Sequence, residues 1–253
     1  MKTQIILSIG MPRAGSAWYY NLTHDLVVAA GGADARRVRE KYHLQRFITE
    51  INCLIPSLSF HRLLPVMLPS TFEAPYVINS HAGRKPLSDI FIKLGLIKPT
   101  FIYRDPRDVA LSAFEYGQHV PKNRKAFLKG LNFFSQFSTI DDAIYFMKDY
   151  LLVAEGWLTC SQTLIVRYED LLQNFDQEAQ RLIGFLEMDT NTPGLDEVLE
   201  KYNPASKSSR EKGTHFVKGK IGRYREAFTE EQKALSAEIF GPYLEAQGYE
   251  IGE

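Results

Sequence analysis

Residues 6–22 read ILSIGMPRAGSAWYYNL, an apolar run that passes through two glycines and continues with residues suited to a helix. Gln4 to Ile9 has the continuous apolar character of a strand covered on both faces. A strand that enters a glycine-rich turn and leaves as a helix aims backbone N–H groups and the positive end of the helix dipole at one spot. The natural occupant of that spot is an anion. The outline Gly10-x4-Gly15-Ser16 is that of a phosphate loop, but Ser16 stands where a nucleoside triphosphatase carries its lysine. Arg13 can reach over such a cradle, Ser16 offers a hydroxyl at the helix start, and Trp18 offers a flat face for a base. A plain strand-to-helix connection, with glycines serving only the turn, stays open at this point.

Outward from this loop, three more β-rich runs stand out at Tyr76 to Asn79, Thr100 to Tyr103 and Thr163 to Arg167, with longer helical stretches between them. The expected fold is α/β and three-layered, with a central, mostly parallel sheet and a P-loop-like strand-loop-helix, in a single domain over 1–253. In RDPRDVALSAFEYG, Asp105 is expected to cap a helix, Pro106 to occupy its first position, Asp108 to favour its positive end and Gly117 to stop it. Thr229 and Gln232 form a capping-box pattern. Ile140, Ala143, Ile144, Met147, Leu151 and Ala154 follow helical spacing. The segment 201–225 holds eight Lys or Arg and three Gly with few large apolar residues, and reads as a long mobile basic loop.

A chain of 253 residues with 45% hydrophobic content can bury a sizeable core. Thirty basic residues balance thirty acidic ones, which argues against a nucleic-acid or membrane-surface partner. The first residues imitate a secretory signal, but Pro12-Arg13 interrupts the place where cleavage needs small residues. No run reaches the length of a membrane span. Cys53 and Cys160 stand apart from each other and from ligand-spaced His or Cys, so neither a disulfide framework nor a metal site is expected, and the cytoplasm is the expected compartment.

The run FIYRD supplies Arg104 ahead of Asp105, where a magnesium-dependent triphosphatase needs an acidic group, and Ser112 lies about two helical turns on. Both can converge on a second phosphate, or Arg104 can simply pair with Asp105 or Asp108.

Four blocks now align in order with the cytosolic-type sulfotransferases that use 3′-phosphoadenosine 5′-phosphosulfate (PAPS). PRAGSAW resembles their 5′-phosphosulfate loop, YRDPRDVALSAFEY their 3′-phosphate segment, VRYEDLLQNF their adenine-side tyrosine segment, and FVKGKIGRYREAFT their C-terminal glycine motif. The resemblance spans residues 10–229. It implies PAPS as cofactor, with 3′,5′-bisphosphoadenosine (PAP) as product and no metal. Pro12, Arg13, Ala14, Gly15, Ser16, Ala17 and Trp18 would hold the 5′ end, and Arg104, Ser112, Val217, Lys218 and Gly219 the 3′-phosphate, with Tyr168 near the base. INSHAGRKPL sits where the family has Lys-Thr-His-Leu, which implies that His81 is the general base, with Arg13 as its catalytic partner. The other histidines, at 24, 43, 61, 119 and 215, read as surface or packing residues.

The chain departs from the family pattern where Arg13 replaces a lysine, Ala17 a threonine, Asn79 a lysine, Val217 an arginine and Tyr224 a tryptophan. The implied reaction is sulfuryl transfer to a small hydroxylated acceptor, whether an alcohol, phenol or sugar. Two alternatives stand beside it: a small-molecule kinase with a degenerate phosphate loop, and a non-catalytic PAP-binding protein. Phe133, Phe134, Phe137, Tyr145 and Phe146 fit either an apolar acceptor pocket or a packed core, and Lys122, Arg124 and Lys125 either an acidic acceptor or a solvated loop.

Overall fold

The structure is a computed structural model that describes residues 4–120, 133–208, 214 and 219–251. Five strands form one sheet: β1 (Ile5–Gly10), β2 (Leu54–Ile55), β3 (Tyr76–Ser80), β4 (Ile97–Tyr103) and β5 (Leu164–Arg167). The helices are α1 (Ser16–Ala29), α2 (Ala35–Lys41), α3 (Phe60–Met67), α4 (Pro86–Lys93), α5 (Pro106–His119), α6 (Ile140–Leu158), α7 (Tyr168–Gln173), α8 (Phe175–Phe185), α9 (Leu195–Tyr202), α10 (Tyr224–Ala227) and α11 (Glu230–Ala246). The expected α/β fold with a parallel sheet flanked by helices is what the chain adopts.

The strand order is β2-β3-β1-β4-β5 and every pair is parallel. β1 is central and all six of its residues are buried, which explains why its sequence is continuously apolar rather than alternating. The chain builds the sheet to one side of β1 through β2 and β3, then to the other through β4 and β5. The carboxyl end of β1 is therefore a topological switch point of the sheet. Gly10 ends β1 at that point.

β2 has no counterpart among the strands expected from sequence, because two residues carry no periodicity. β4 begins three residues earlier than its apolar run, at Ile97, and takes in Lys98 and Pro99. β5 starts opposite Thr100, so on that side β4 residues 97–99 lack a partner strand among the described residues, and an edge position tolerates proline.

The chain divides into two compact units. The first comprises Met1–Met11, Gly15–Tyr103 and Val153–Gly219 and contains the whole sheet. Its core joins Trp18, Tyr19, Leu22 and Leu26 of α1 to Ile102, Val166, Tyr168 and Phe175. Burying side chains such as Leu22, Leu26 and Phe175 contributes about 1.5–3 kcal/mol each. The second unit comprises Pro12–Ala14, Arg104–Leu152 and Lys220–Glu253, built around α5, α10 and α11.

In the second unit Asp105 caps α5 by accepting from the Arg107 N–H at 2.9 Å, with Pro106 at the first position, as its sequence implies. Gly117 does not stop the helix, which runs on to His119. A Cβ at Gly117 would lie 2.0 Å from the Phe134 carbonyl oxygen, so this glycine admits a neighbouring backbone. α11 carries the full capping box between Thr229 and Gln232.

Candidate active site

The turn from β1 to α1 is built on two different uses of glycine. A Cβ on Gly10 would sit 2.6 Å from Ser16 Cβ and 2.7 Å from Ile102 Cγ2, so its absence lets strand end and helix start close on each other. Gly15 has φ +83°, in the left-handed region, and a Cβ there would meet the Tyr168 ring at 2.7 Å. Gly15 is the N-cap of α1, offers no side-chain cap, and no acidic residue stands in the first turn. By contrast, α5 opens with Asp105 and Asp108, and α11 with Thr229, Glu230 and Glu231. The first N–H groups of α1 and its dipole are thus left uncompensated by side chains, the arrangement that binds an anion. Ser16 and Ala17 are the first two residues of that helix.

Pro12, Arg13 and Ala14 group with the second unit. Arg13 also has positive φ, 67°, a conformation that costs a non-glycine residue about 1–2 kcal/mol. Its guanidinium lies 4.2 Å from the centre of the Tyr116 ring, and a cation–π contact of ~0.5–2 kcal/mol offsets much of that cost. Arg13 Nε is buried without a hydrogen-bond partner among the described residues. Burial holds the Arg13 pKa below the usual arginine value; Tyr116 and Glu115 oppose this and the positive charge of Arg104 adds to it. An arginine nevertheless stays a cation at neutral pH.

Arg104 is buried and donates to Asp108 Oδ2 at 2.8 Å and to the Lys220 carbonyl at 2.7 Å. The pairing with Asp108 that the sequence left open as an alternative is therefore present. Asp108 is more than a counter-ion: its two oxygens also accept from the Gly222 N–H at 2.9 Å and the Tyr224 N–H at 3.1 Å. The RDPRD block and the KIGRY block, more than a hundred residues apart in sequence, are thereby fastened together. The local sequence around Asp108 signals a helix-dipole residue and a partner for Arg104, and nothing in it signals this long-range role. Ser112, half-buried, follows on α5. Of the C-terminal glycine motif, Gly219 is described, with φ 56°, while Val217 and Lys218 lie outside the described residues. The same holds for parts of the basic loop, for Lys122, Arg124 and Lys125, and for His215. Arg223 pairs with Glu115, and Arg225 with Glu250 at 3.3 Å.

Trp18 lies in the core. The indole is 1% exposed, stacked on Phe175 with centroids 6.2 Å apart, edge-on to Tyr168 at 6.1 Å, and bonded through Nε1 to the Tyr202 carbonyl at 3.2 Å. It presents no open face in this arrangement, because its large apolar surface is taken up by the core beneath the loop. Tyr168, the first residue of α7, is the aromatic that lies directly against Gly15.

His81 follows β3, next to the switch point in the first unit. Its Nδ1 bonds to the Gly10 carbonyl oxygen at 2.6 Å. A carbonyl only accepts, so Nδ1 is the donor in this bond. The loop after β3 is held by the Ala82 N–H on Ser80 Oγ and by Trp157 Nε1 on the Ala82 carbonyl, both at 3.0 Å. Asn79 is buried, and its Oδ1 has no partner among the described residues. His24 is buried between Asp25 and Asp34, whereas His43, His61 and His119 lie outside the core. In the second unit Phe133, Phe134, Phe137 and Phe146 pack on one another with centroids 4.9–6.1 Å apart, and Tyr145 is exposed.

The sulfotransferase domain family matches residues 2–248. The chain belongs to the sulfotransferase family. Sulfotransferase 6B1 of Mus musculus is 21% identical over 244 residues, covering 93% of this chain and 74% of that protein. Sulfotransferase 6B1 of Danio rerio is 21% identical over 250 residues, covering 93% and 76%. Among solved structures, mouse sulfotransferase SULT7A1 complexed with PAP matches 95% of this chain and 84% of its own with a TM-score of 0.57 at 16% identity. Retinol dehydratase in a complex with retinol and PAP matches 96% of this chain and 82% of its own with a TM-score of 0.54, also at 16% identity. No helix of this sulfotransferase, among the described residues, is long and apolar enough to cross a membrane.

Proposed function

We propose that this sulfotransferase uses PAPS and sulfates the hydroxyl of a small acceptor, with His81 as the general base. The observation that carries the proposal is the 2.6 Å bond from His81 Nδ1 to the Gly10 carbonyl, which ties the imidazole to the residue where the phosphate loop begins. The solved relatives bound to PAP support the choice of donor. So does the fit of the loop: α1 starts without a side-chain cap, and no hydrogen-bonded carboxylate partners Arg13 among the described residues.

PAPS supplies, when bound, a sulfuryl group activated by its attachment to phosphate. The backbone N–H groups from Gly15 to Trp18 and the Arg13 guanidinium hold the 5′ end, with Pro12 and Ala14 shaping the loop. Arg104, Ser112 and Gly219 hold the 3′-phosphate, joined by Val217 and Lys218. Tyr168, with Trp18 packed behind it, borders the base. His81 would take the proton of the acceptor hydroxyl, and Arg13 would stabilise negative charge at the 5′-phosphate. The two buried free thiols, Cys53 and Cys160, suit a reducing cytoplasm.

Thermal denaturation of the full chain with PAP, ATP and magnesium-ATP tests the donor. PAP should raise the Tm without magnesium. Stabilisation by magnesium-ATP alone would favour a kinase, and PAP binding without transfer of sulfate from PAPS to any of a panel of phenols and alcohols would leave a non-catalytic binder.

A further inference from the structure

We infer that Tyr116 is the positioning residue of Arg13: its ring is the shelf that holds the guanidinium without a hydrogen-bonded carboxylate. The inference rests on the proposed role of Arg13 at the 5′ end of the donor.

A long cation in a loop must be fixed if it is to meet an anion in one geometry. A carboxylate would fix it, but would also quench the charge and occupy the donors that the anion needs. An aromatic face attracts the cation through its quadrupole and uses none of the in-plane N–H donors. Arg13 has the second solution: its guanidinium lies 4.2 Å from the Tyr116 ring centre. The neighbouring acid, Glu115, pairs with Arg223 and acts on Arg13 through its charge.

The shelf is itself packed in place. Phe134 meets the Tyr116 ring edge-on at 6.0 Å, and the adjacent Gly117 lets the Phe134 backbone approach so closely that any side chain there would collide with it. The family resemblance offers lysine at the Arg13 position, and a compact ammonium gains less from a flat shelf than a planar guanidinium does. Tyr116 and Arg13 therefore act as a pair.

The test is the affinity of the full chain for PAP, and for adenosine 3′-monophosphate, by titration calorimetry. Arg13→Ala should weaken PAP about thirtyfold, and Tyr116→Leu about tenfold, while Tyr116→Phe, which keeps the ring, should lose less than about threefold. In the Arg13→Ala background, Tyr116→Leu should cost less than about twofold more, because there is no guanidinium left to position. Adenosine 3′-monophosphate lacks the 5′ group, and Tyr116→Leu should leave its binding within about twofold. A Tyr116→Leu penalty that persists at full size without Arg13, or that falls equally on both nucleotides, would mean that Tyr116 only supports the fold. Normal PAP binding by Tyr116→Leu beside a weakened Arg13→Ala would overturn the shelf alone, and normal binding by both variants would overturn the role of Arg13 as well.

Discussion

Arg104 and Asp108 form a buried ion pair at 2.8 Å, with side chains 8% and 0% exposed, and Asp108 extends it to the backbone N–H groups of Gly222 and Tyr224. One carboxylate thus sets the position of the arginine proposed for the 3′-phosphate and the path of the glycine motif that follows it. Removing one partner of such a pair leaves a buried charge and two N–H groups without their acceptor. Asp108→Ala should cost about 3–5 kcal/mol of stability, measured by urea denaturation. Asp108→Asn keeps an acceptor oxygen and should lose less. Equal stability of wild type and Asp108→Ala would refute the clasp.

His81 should separate chemistry from binding. His81→Ala removes the base but no proposed contact to the nucleotide, so transfer from PAPS to any accepted phenol should fall by about 10²–10⁴ while PAP affinity stays within about twofold. A His81→Ala variant that still turns over normally would take His81 out of the mechanism.

Gly15 is constrained twice, by φ +83° and by the Tyr168 ring, which a Cβ at this position would meet at 2.7 Å. Gly15→Ala should destabilise the fold by about 1–3 kcal/mol and weaken PAP. Adding Tyr168→Ala relieves the collision but not the backbone strain, so the double variant should not regain wild-type affinity. Chemical denaturation and calorimetry of the two variants decide it.

Asp25 links α1 to the end of α9. Burial pushes its pKa up, but hydrogen bonds from His24, Lys201 and Tyr202 outweigh this and hold it well below the ordinary 3.8. A carboxylate with a depressed folded pKa contributes stability that is fully present above its unfolded pKa and is lost as the pH falls toward the folded one. Denaturation midpoints of wild type and Asp25→Asn should therefore differ most near pH 7 and converge as the pH drops below about 3.8. A gap that does not narrow in acid would show that Asp25 contributes by packing alone.

Local rules are legible wherever one segment satisfies itself. The Asp105 and Thr229 caps follow from side chains bonding to N–H groups two or three residues away, and β1 follows from its unbroken apolar run. Gly117 shows the limit: the residue type allows a helix stop, but the Phe134 carbonyl that needs the space lies seventeen residues on. Trp18 shows the same limit, since whether an aromatic faces a ligand or a core depends on Phe175, Tyr168 and Tyr202 arriving around it.

The amino-acid sequence alone determined the α/β class, the strand-to-helix turn from Gly10 to Ser16 and the family, because each is written in short blocks whose backbone preferences and spacing act locally. Tertiary structure alone decided that Arg13 lies on the Tyr116 ring, that Asp108 clasps Gly222 and Tyr224, and that His81 bonds through Nδ1 to Gly10. Those contacts join residues 71 to 116 positions apart, and no local preference encodes a partner that only chain folding brings within a few ångströms.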